Sequence, residues 1–245
     1  MKRILYFLKS ACYRIVRVMK IAFGKYPKVT GKDLYRTTPI SENFGLDRGK
    51  PIDRYYIEKF LYQNRQYIKG HILEVAEDLY ATRYAQLNET ITEDPTVETL
   101  HYDGIGRKVT MIGDLTKPET LPENRYDCFI CTQVYMFIFD LSKAFEGSYH
   151  LLKDGGVLLA TVAGISQIAR DEMEQFGDYW RFTNKSIEML FKNTKFSQVE
   201  IVPMGNVMAA CAFLQGIALE EIPNRRTFDV TDENYQLIIG IRAVE

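Results

Sequence analysis

The feature that most restricts what this chain can become is a series of short apolar segments alternating with helical patterns. Strand-like runs occur at His71–Ala76, Val97–Tyr102, Lys108–Ile112, Tyr126–Thr132 and Gly156–Val162. Short apolar runs of this kind suit strands buried on both faces of a sheet. A helix is expected over Leu141–Leu152, where Asp140 provides an N-cap, and another runs from Thr183 to about Asn193. Two late strands are expected at Val199–Val202 and Leu237–Arg242, separated by an apolar helix near Val207–Leu219. Strands interleaved with helices in this way predict an α/β fold, a mostly parallel seven-stranded sheet covered on both faces.

The first part of the chain reads differently. Met1 to Phe23 has helical spacing, with Lys2, Arg3, Lys9, Arg14, Arg17 and Lys20 on one side and Ile4, Leu8, Ala11, Ile15, Met19 and Ala22 on the other. The first 28 residues carry eight Lys or Arg and no Asp or Glu. No apolar run here is long enough to span a bilayer, and charges interrupt any signal-peptide core. Two readings stay open: a helix lying on an anionic membrane or on a partner, and a helix packed on its own domain with a solvated basic face. Gly24 to Lys50 is linker-like, and a helix follows Pro51, with Ile52, Tyr56, Ile57, Phe60, Leu61, Tyr67 and Ile68 at helical spacing up to Gly70. The expected division is residues 1–30 as basic helix and linker and residues 31–245 as one domain.

Composition excludes several function classes. The net charge of -1 gives no sign of general nucleic-acid binding. Cys12, Cys128, Cys131 and Cys211 are scattered, which suits reduced thiols in the cytoplasm. Cys128 and Cys131 lie three apart on a strand, so they face opposite sides and do not share a metal. His71, His101 and His150 make no metal-ligand pattern.

A combination of motifs is more specific. The pieces are Ile72-Leu73-Glu74-Val75, Leu100-His101-Tyr102-Asp103, Ile112-Gly113-Asp114-Leu115, Tyr126-Asp127-Cys128-Phe129-Ile130, and Leu151-Leu152-Lys153-Asp154-Gly155-Gly156-Val157-Leu158-Leu159. In this order they resemble class I S-adenosylmethionine-dependent methyltransferases, from Ile72 to the C-terminus. Further stretches, Thr38-Pro39-Ile40-Ser41, Phe44 to Tyr56 and Gly177 to Thr183, are similar to a bacterial subgroup of methyltransferase-domain proteins often linked with cell-surface glycan assembly. The resemblance implies a Rossmann-like fold with S-adenosylmethionine as cofactor, held beyond the carboxyl ends of the strands.

It also implies roles for residues. Asp103 would accept hydrogen bonds from the ribose hydroxyls. Asp114 would contact the adenine with Leu115 packed beside it, and Cys131, Thr132, Gln133 and Val134 would end the fourth strand beneath the reacting centre. Glu74 keeps the acidic position of the first motif. The first loop departs from the family pattern, since its glycines would fall at Ala76, Asp78 and Tyr80. Arg83 is the candidate to pair with the cofactor's carboxylate in place of those loop contacts; its competing reading is a solvated helix residue.

Two polar-aromatic clusters complete the expectation. Arg48, Asp53, Arg54, Tyr55 and Tyr56 precede the sheet and are candidates to bind substrate. Asp178, Tyr179, Trp180 and Arg181 follow the fifth strand and are candidate catalytic or acceptor residues; Asp178, Glu172 and His150 are candidate bases. The function expected is methyl transfer to a small or glycan-linked acceptor, in polysaccharide biosynthesis, at the cytoplasmic side of the membrane. The alternative is an inactive methyltransferase-fold binding module that partners a glycosyltransferase or a membrane.

Overall fold

The computed structural model describes residue 31, residues 35–104 and residues 109–245. The expected basic helix Met1–Phe23 lies outside the described residues, as does Lys108. The seven strands are β1 (His71–Val75), β2 (Thr96–His101), β3 (Met111–Ile112), β4 (Tyr126–Thr132), β5 (Leu152–Ala163), β6 (Gln198–Met204) and β7 (Ile238–Val244). The helices are α1 (Ile52–Gln63), α2 (Leu79–Gln86), α3 (Leu141–His150), α4 (Arg170–Gln175), α5 (Asn184–Phe191) and α6 (Val207–Leu214).

The strands form one sheet in the order β3-β2-β1-β4-β5-β7-β6. β1 to β5 are parallel, and β7 runs antiparallel between β5 and β6. This is the mostly parallel α/β sheet that the alternation predicted, and it has the Rossmann-like arrangement. Leu73, Phe129, Cys131, Leu158, Ala160, Ile239 and Ile241 are fully buried, which is why these runs read as continuously apolar. β3 pairs with β2 through Leu100 and His101, and Thr110 just before it donates its N–H to Thr99 O at 3.2 Å. β5 begins at Leu152, so Gly155 and Gly156 lie within the strand.

Local signals place the helices well. The Asp140 side chain accepts the N–H of Lys143 at 3.2 Å and so caps α3. Thr183 caps α5 through a capping box with Ser186. α1 stops at Gln63, earlier than Gly70, and a 3-10 turn at Arg65–Tyr67 carries the chain on to β1.

The described residues divide into two compact units. One comprises the described residues up to Tyr56 together with Gly205–Tyr235; the other comprises Ile57–Met204 with Gln236–Glu245 and contains the whole sheet. Gly147 of α3 permits a close backbone approach in the larger unit. A Cβ there would collide with the backbone carbonyl of Leu115, so only glycine lets the loop after β3 lie against the helix. Among the described residues no helix is long and apolar enough to cross a membrane.

Candidate functional site

Because β1 to β5 are parallel, their carboxyl ends share one edge of the sheet. The order reverses between β1 and β4, where chain excursions in opposite directions leave a crevice. Each of these two strands leaves the sheet through a residue in the left-handed region: Ala76 at φ 72° after β1 and Gln133 at φ 57° after β4. A side chain there costs on the order of 1–2 kcal/mol. Backbone bonds hold both turns. Ala76 donates its N–H to Leu100 O at 2.9 Å, and Gln133 donates to Thr161 O at 2.8 Å. The Gln133 amide also reaches Thr161 Oγ1 at 3.2 Å. Backbone conformations of this cost gather at functional sites. Thr132, next to Gln133, pairs in register with Thr161 of β5.

Glu74, on β1, has a structural task. Its carboxylate accepts the N–H of Tyr80 at 3.2 Å and of Ala81 at 2.7 Å, which closes the first turn of α2. The side chain is buried, and burial pushes its pKa up to about 8 against the downward pull of those two N–H groups. Glu74 therefore shapes the first loop from below. The loop itself presents Ala76, Glu77 and Asp78 to solvent or near it.

Asp103 follows β2 on the same edge. Its Oδ1 lies 2.7 Å from His101 Nδ1, and its side chain is 30% exposed. Asp114 follows β3. Its Oδ1 accepts the N–H and hydroxyl of Thr116, at 2.9 and 2.7 Å, and its other oxygen lies 3.2 Å from Lys117 Nζ. Burial alone would raise this carboxyl; the Thr116 and Lys117 bonds outweigh it and hold the pKa below the usual value. A carboxylate has about four acceptor positions, so Asp114 keeps capacity for a further donor. Leu115, by contrast, is buried in the core cluster under this edge.

Arg83 lies in the last turn of α2. Its guanidinium is 3.4 Å from Glu58 of α1 and sits over the Tyr84 ring. The charge that was to balance the first loop thus faces a carboxylate on the neighbouring helix.

The segment after β5 departs further from expectation. Arg181 holds Asp178 with two hydrogen bonds, at 2.5 and 2.8 Å, and Asp178 Oδ2 also accepts the N–H of Ala169 at 3.0 Å. Arg181 donates besides to the carbonyls of Ser166, Gln167 and Trp180. The Asp178 side chain is 1% exposed. Burial would raise its pKa, but the Arg181 bonds and the Ala169 N–H hold it below the usual range. A carboxylate in this state is a poor proton acceptor, so Asp178 and Arg181 form a clasp on residues 166–181, and the role of base is corrected. His150 ends α3, which runs antiparallel to β4. Its carbonyl accepts the N–H of Asn124 just before β4 begins, at the opposite edge of the sheet from the crevice. It too is removed as a base. Glu172 lies half-buried in the short helix α4.

The aromatic members of this segment remain available. Tyr179 donates its N–H to Met136 O, and Trp180 donates its indole N–H to Ile138 O at 3.1 Å; both bonds tie them to the loop after β4. Phe139, which sequence reading missed, stacks on Trp180 and meets Tyr179 edge-on. It is 69% exposed. Its one sequence signal is its place directly ahead of the α3 cap Asp140. A cleft of about 700 Å³ opens here, lined by Phe139, Leu141, Trp180, Phe182, Met189 and Leu190.

The other cluster lies in the smaller unit and is largely committed within it. Arg48 is buried and makes a two-point ion pair with Glu221, one bond being 2.9 Å. The Tyr55 hydroxyl donates to Asp229 at 2.7 Å, and burial together with that carboxylate pushes its pKa up to about 12. Tyr56 is buried, and among the described residues its hydroxyl has no hydrogen-bond partner. Burial raises the Asp53 carboxyl against the pull of the Arg54 charge and N–H. Among the described residues no group of His, Cys, Asp and Glu could hold a metal ion, and Cys128 and Cys131 are separately buried thiols.

No protein-family model matches this sequence, and no curated protein matches it. Solved structures do resemble it. An S-adenosylmethionine-dependent methyltransferase from Archaeoglobus fulgidus superposes with a TM-score of 0.51 at 10% identity, covering 78% of this chain and 94% of that one. A chain from the complex between the Haloferax volcanii Trm112 methyltransferase activator and a methyltransferase superposes with a TM-score of 0.52 at 14% identity, covering 78% of this chain and 90% of that one. At these identities the likeness establishes the fold.

Proposed function

We propose that this chain, folded as class I S-adenosylmethionine-dependent methyltransferases are, binds that cofactor in the crevice between β1 and β4 and transfers its methyl group to a small or glycan-linked acceptor. The observation that carries the reading is the alignment of Asp103 and Asp114 at the carboxyl ends of neighbouring strands, beside the switch point where β1 and β4 exit through left-handed residues.

The residues present fit the cofactor. Ala76 adopts the left-handed conformation that glycine supplies elsewhere, so the turn survives without glycine. When bound, S-adenosylmethionine supplies a methyl group on a sulfonium for in-line displacement by an acceptor oxygen or nitrogen. Asp103 would accept from the ribose hydroxyls, and Asp114 would use its spare acceptor capacity toward the adenine amine. Thr132 and Gln133 would form the floor near the reacting atoms. Phe139, Tyr179 and Trp180 would hold a ring face of the acceptor, and positioning would account for much of the rate.

A second reading is a binding module that keeps the fold without catalysis, partnering a glycosyltransferase or a membrane. Glu77 and Asp78 favour it, because they set two carboxylates near the place where the cofactor's own carboxylate would lie. Isothermal calorimetry with S-adenosylhomocysteine separates the readings. Binding that D103A weakens supports the enzyme; no heat at millimolar ligand overturns it and leaves the module.

A further inference from the structure

The chain between β5 and α5 does not pass directly from one to the other. It leaves β5 at Gly164, which donates its N–H to Leu237 O at 2.9 Å, and it returns at Phe182, which donates its N–H to Ala163 O at 2.9 Å. Both feet therefore stand at the carboxyl end of β5. Between them, Phe176 meets Tyr102 edge-on, with ring centroids 6.2 Å apart. Tyr102 directly follows β2. In the order β2-β1-β4-β5 that contact lies three strands from the feet, about 14 Å at the usual strand spacing. The detour thus passes the carboxyl ends of β4 and β1, the two strands that border the crevice. On the way back it is tied to the loop after β4: Tyr179 donates its N–H to Met136 O at 2.9 Å, and Trp180 its indole N–H to Ile138 O at 3.1 Å.

The detour is firm within itself. The Asp178–Arg181 clasp joins its two legs through Ser166, Gln167 and Ala169. The Tyr179 hydroxyl donates to Phe176 O at 3.2 Å and steadies the tip. Its hold on the rest of the molecule is lighter. Helix α4 buries none of its residues, and Ile168 and Met173 are exposed. An element with few buried apolar contacts opens at low cost in free energy. A firm loop on two adjacent feet swings as one body, and at its tip the grip on the sheet is the Phe176–Tyr102 ring pair.

We propose that residues 164–182 are a strap that closes over cofactor bound in the crevice, with Phe176 on Tyr102 as its latch. The latch meets the sheet beside Asp103, the residue assigned to the ribose. The return leg carries Tyr179 and Trp180, so the same closure sets the aromatic wall assigned to the acceptor. A ligand beneath the strap leaves when the latch opens. The inference rests on the cofactor reading given above, whereas the grip of the latch is measurable without ligand, so the two can fail separately.

Trp180 is the only tryptophan of the protein and lies on the strap, so its emission follows it. In ligand-free protein F176A should raise hydrogen exchange at the amides of residues 169–177 and acrylamide quenching of Trp180. Surface plasmon resonance should show S-adenosylhomocysteine leaving F176A roughly fivefold faster than wild type, the scale of one lost aromatic pair. F176L, which keeps an apolar side chain toward Tyr102, should fall between the two. If F176A lowers Tm, F176L decides by the same measurements, with a rate equal to wild type counting against the latch. Equal exchange and equal dissociation rates overturn the strap and leave cofactor binding standing. Tighter binding by F176A overturns it as well, since Phe176 would then occupy the ligand's own place. No binding by wild type at millimolar ligand overturns the cofactor reading, and closure over cofactor falls with it whatever the exchange shows.

Discussion

The carboxyl group of Glu74 accepts the backbone N–H of Ala81 at 2.7 Å, so an acid on strand β1 forms the base of the first turn of α2. Tyr80 adds a second N–H to the same group. The first motif acid thus acts on the loop that faces the crevice by fixing where α2 begins, and its burial gives a pH dependence that can be measured.

Burial raises the Glu74 pKa from 4.5 to about 8. Between those values the unfolded chain loses its proton while the folded chain keeps it, so stability falls as pH rises, by at most about 1.4 kcal/mol per pH unit. Below 4.5 and above about 8 this contribution is flat. Urea unfolding from pH 4 to 9 should show wild type losing stability relative to E74Q across this window. Parallel curves for the two proteins would show that burial does not shift the Glu74 pKa.

Ala76 holds φ 72° with a Cβ. A76G removes that cost, less the added entropy of the unfolded chain, and is expected to raise stability by roughly 0.5–1 kcal/mol. It should also tighten S-adenosylhomocysteine binding, because it removes side-chain bulk at the crevice. A stability loss on chemical denaturation would mean that the turn is not left-handed in solution.

Asp103 is partly exposed and paired locally with His101, so its removal should leave the fold intact. D103A is expected to weaken S-adenosylhomocysteine binding by about 1–3 kcal/mol, the scale of hydrogen bonds to a charged group. Calorimetry on a variant of unchanged Tm decides the point; equal affinity would reduce Asp103 to a turn residue.

Asp178 and Arg181 give the opposite forecast. D178A leaves the Arg181 guanidinium without its carboxylate and frees the Ala169 N–H. The guanidinium is partly exposed, so the loss should be about 2 kcal/mol, below that of a fully buried pair. Because the folded Asp178 pKa lies below 3.8, its contribution is complete above that value and is lost as pH falls through the folded one. Thermal melts of D178A and wild type should therefore converge only in strong acid. Convergence near neutral pH would contradict the clasp.

R83A tests a residue that the fold moved. With Arg83 beside Glu58 on α1, the variant should leave S-adenosylhomocysteine affinity within about twofold, as for an exposed ion pair worth under 1 kcal/mol. A tenfold loss by calorimetry would return Arg83 to the cofactor's carboxylate.

What the sequence determined by itself was local. Buried strands betray themselves as continuous apolar runs, and caps such as Asp140 and Thr183 act on the N–H groups of the next few residues, so β1, β4, α3 and α5 were legible within a residue or two. The acids at the ends of β2 and β3 were legible because they close runs that must be strands. Tertiary structure decided the rest. β7 lies antiparallel between β5 and β6, where its apolar residues are buried, and nothing within the strand encodes its neighbours. Arg48 closes on Glu221 from 173 positions away, and Tyr55 finds Asp229 from 174. Both turn candidate ligand contacts into internal pairs. Arg181 and Asp178 are only three residues apart, yet their clasp exists because a folded loop brings the carbonyls of Ser166 and Gln167 within reach of the same guanidinium. A polar side chain read alone shows which bonds it can make. Which of them it makes depends on the groups that packing has left unsatisfied around it.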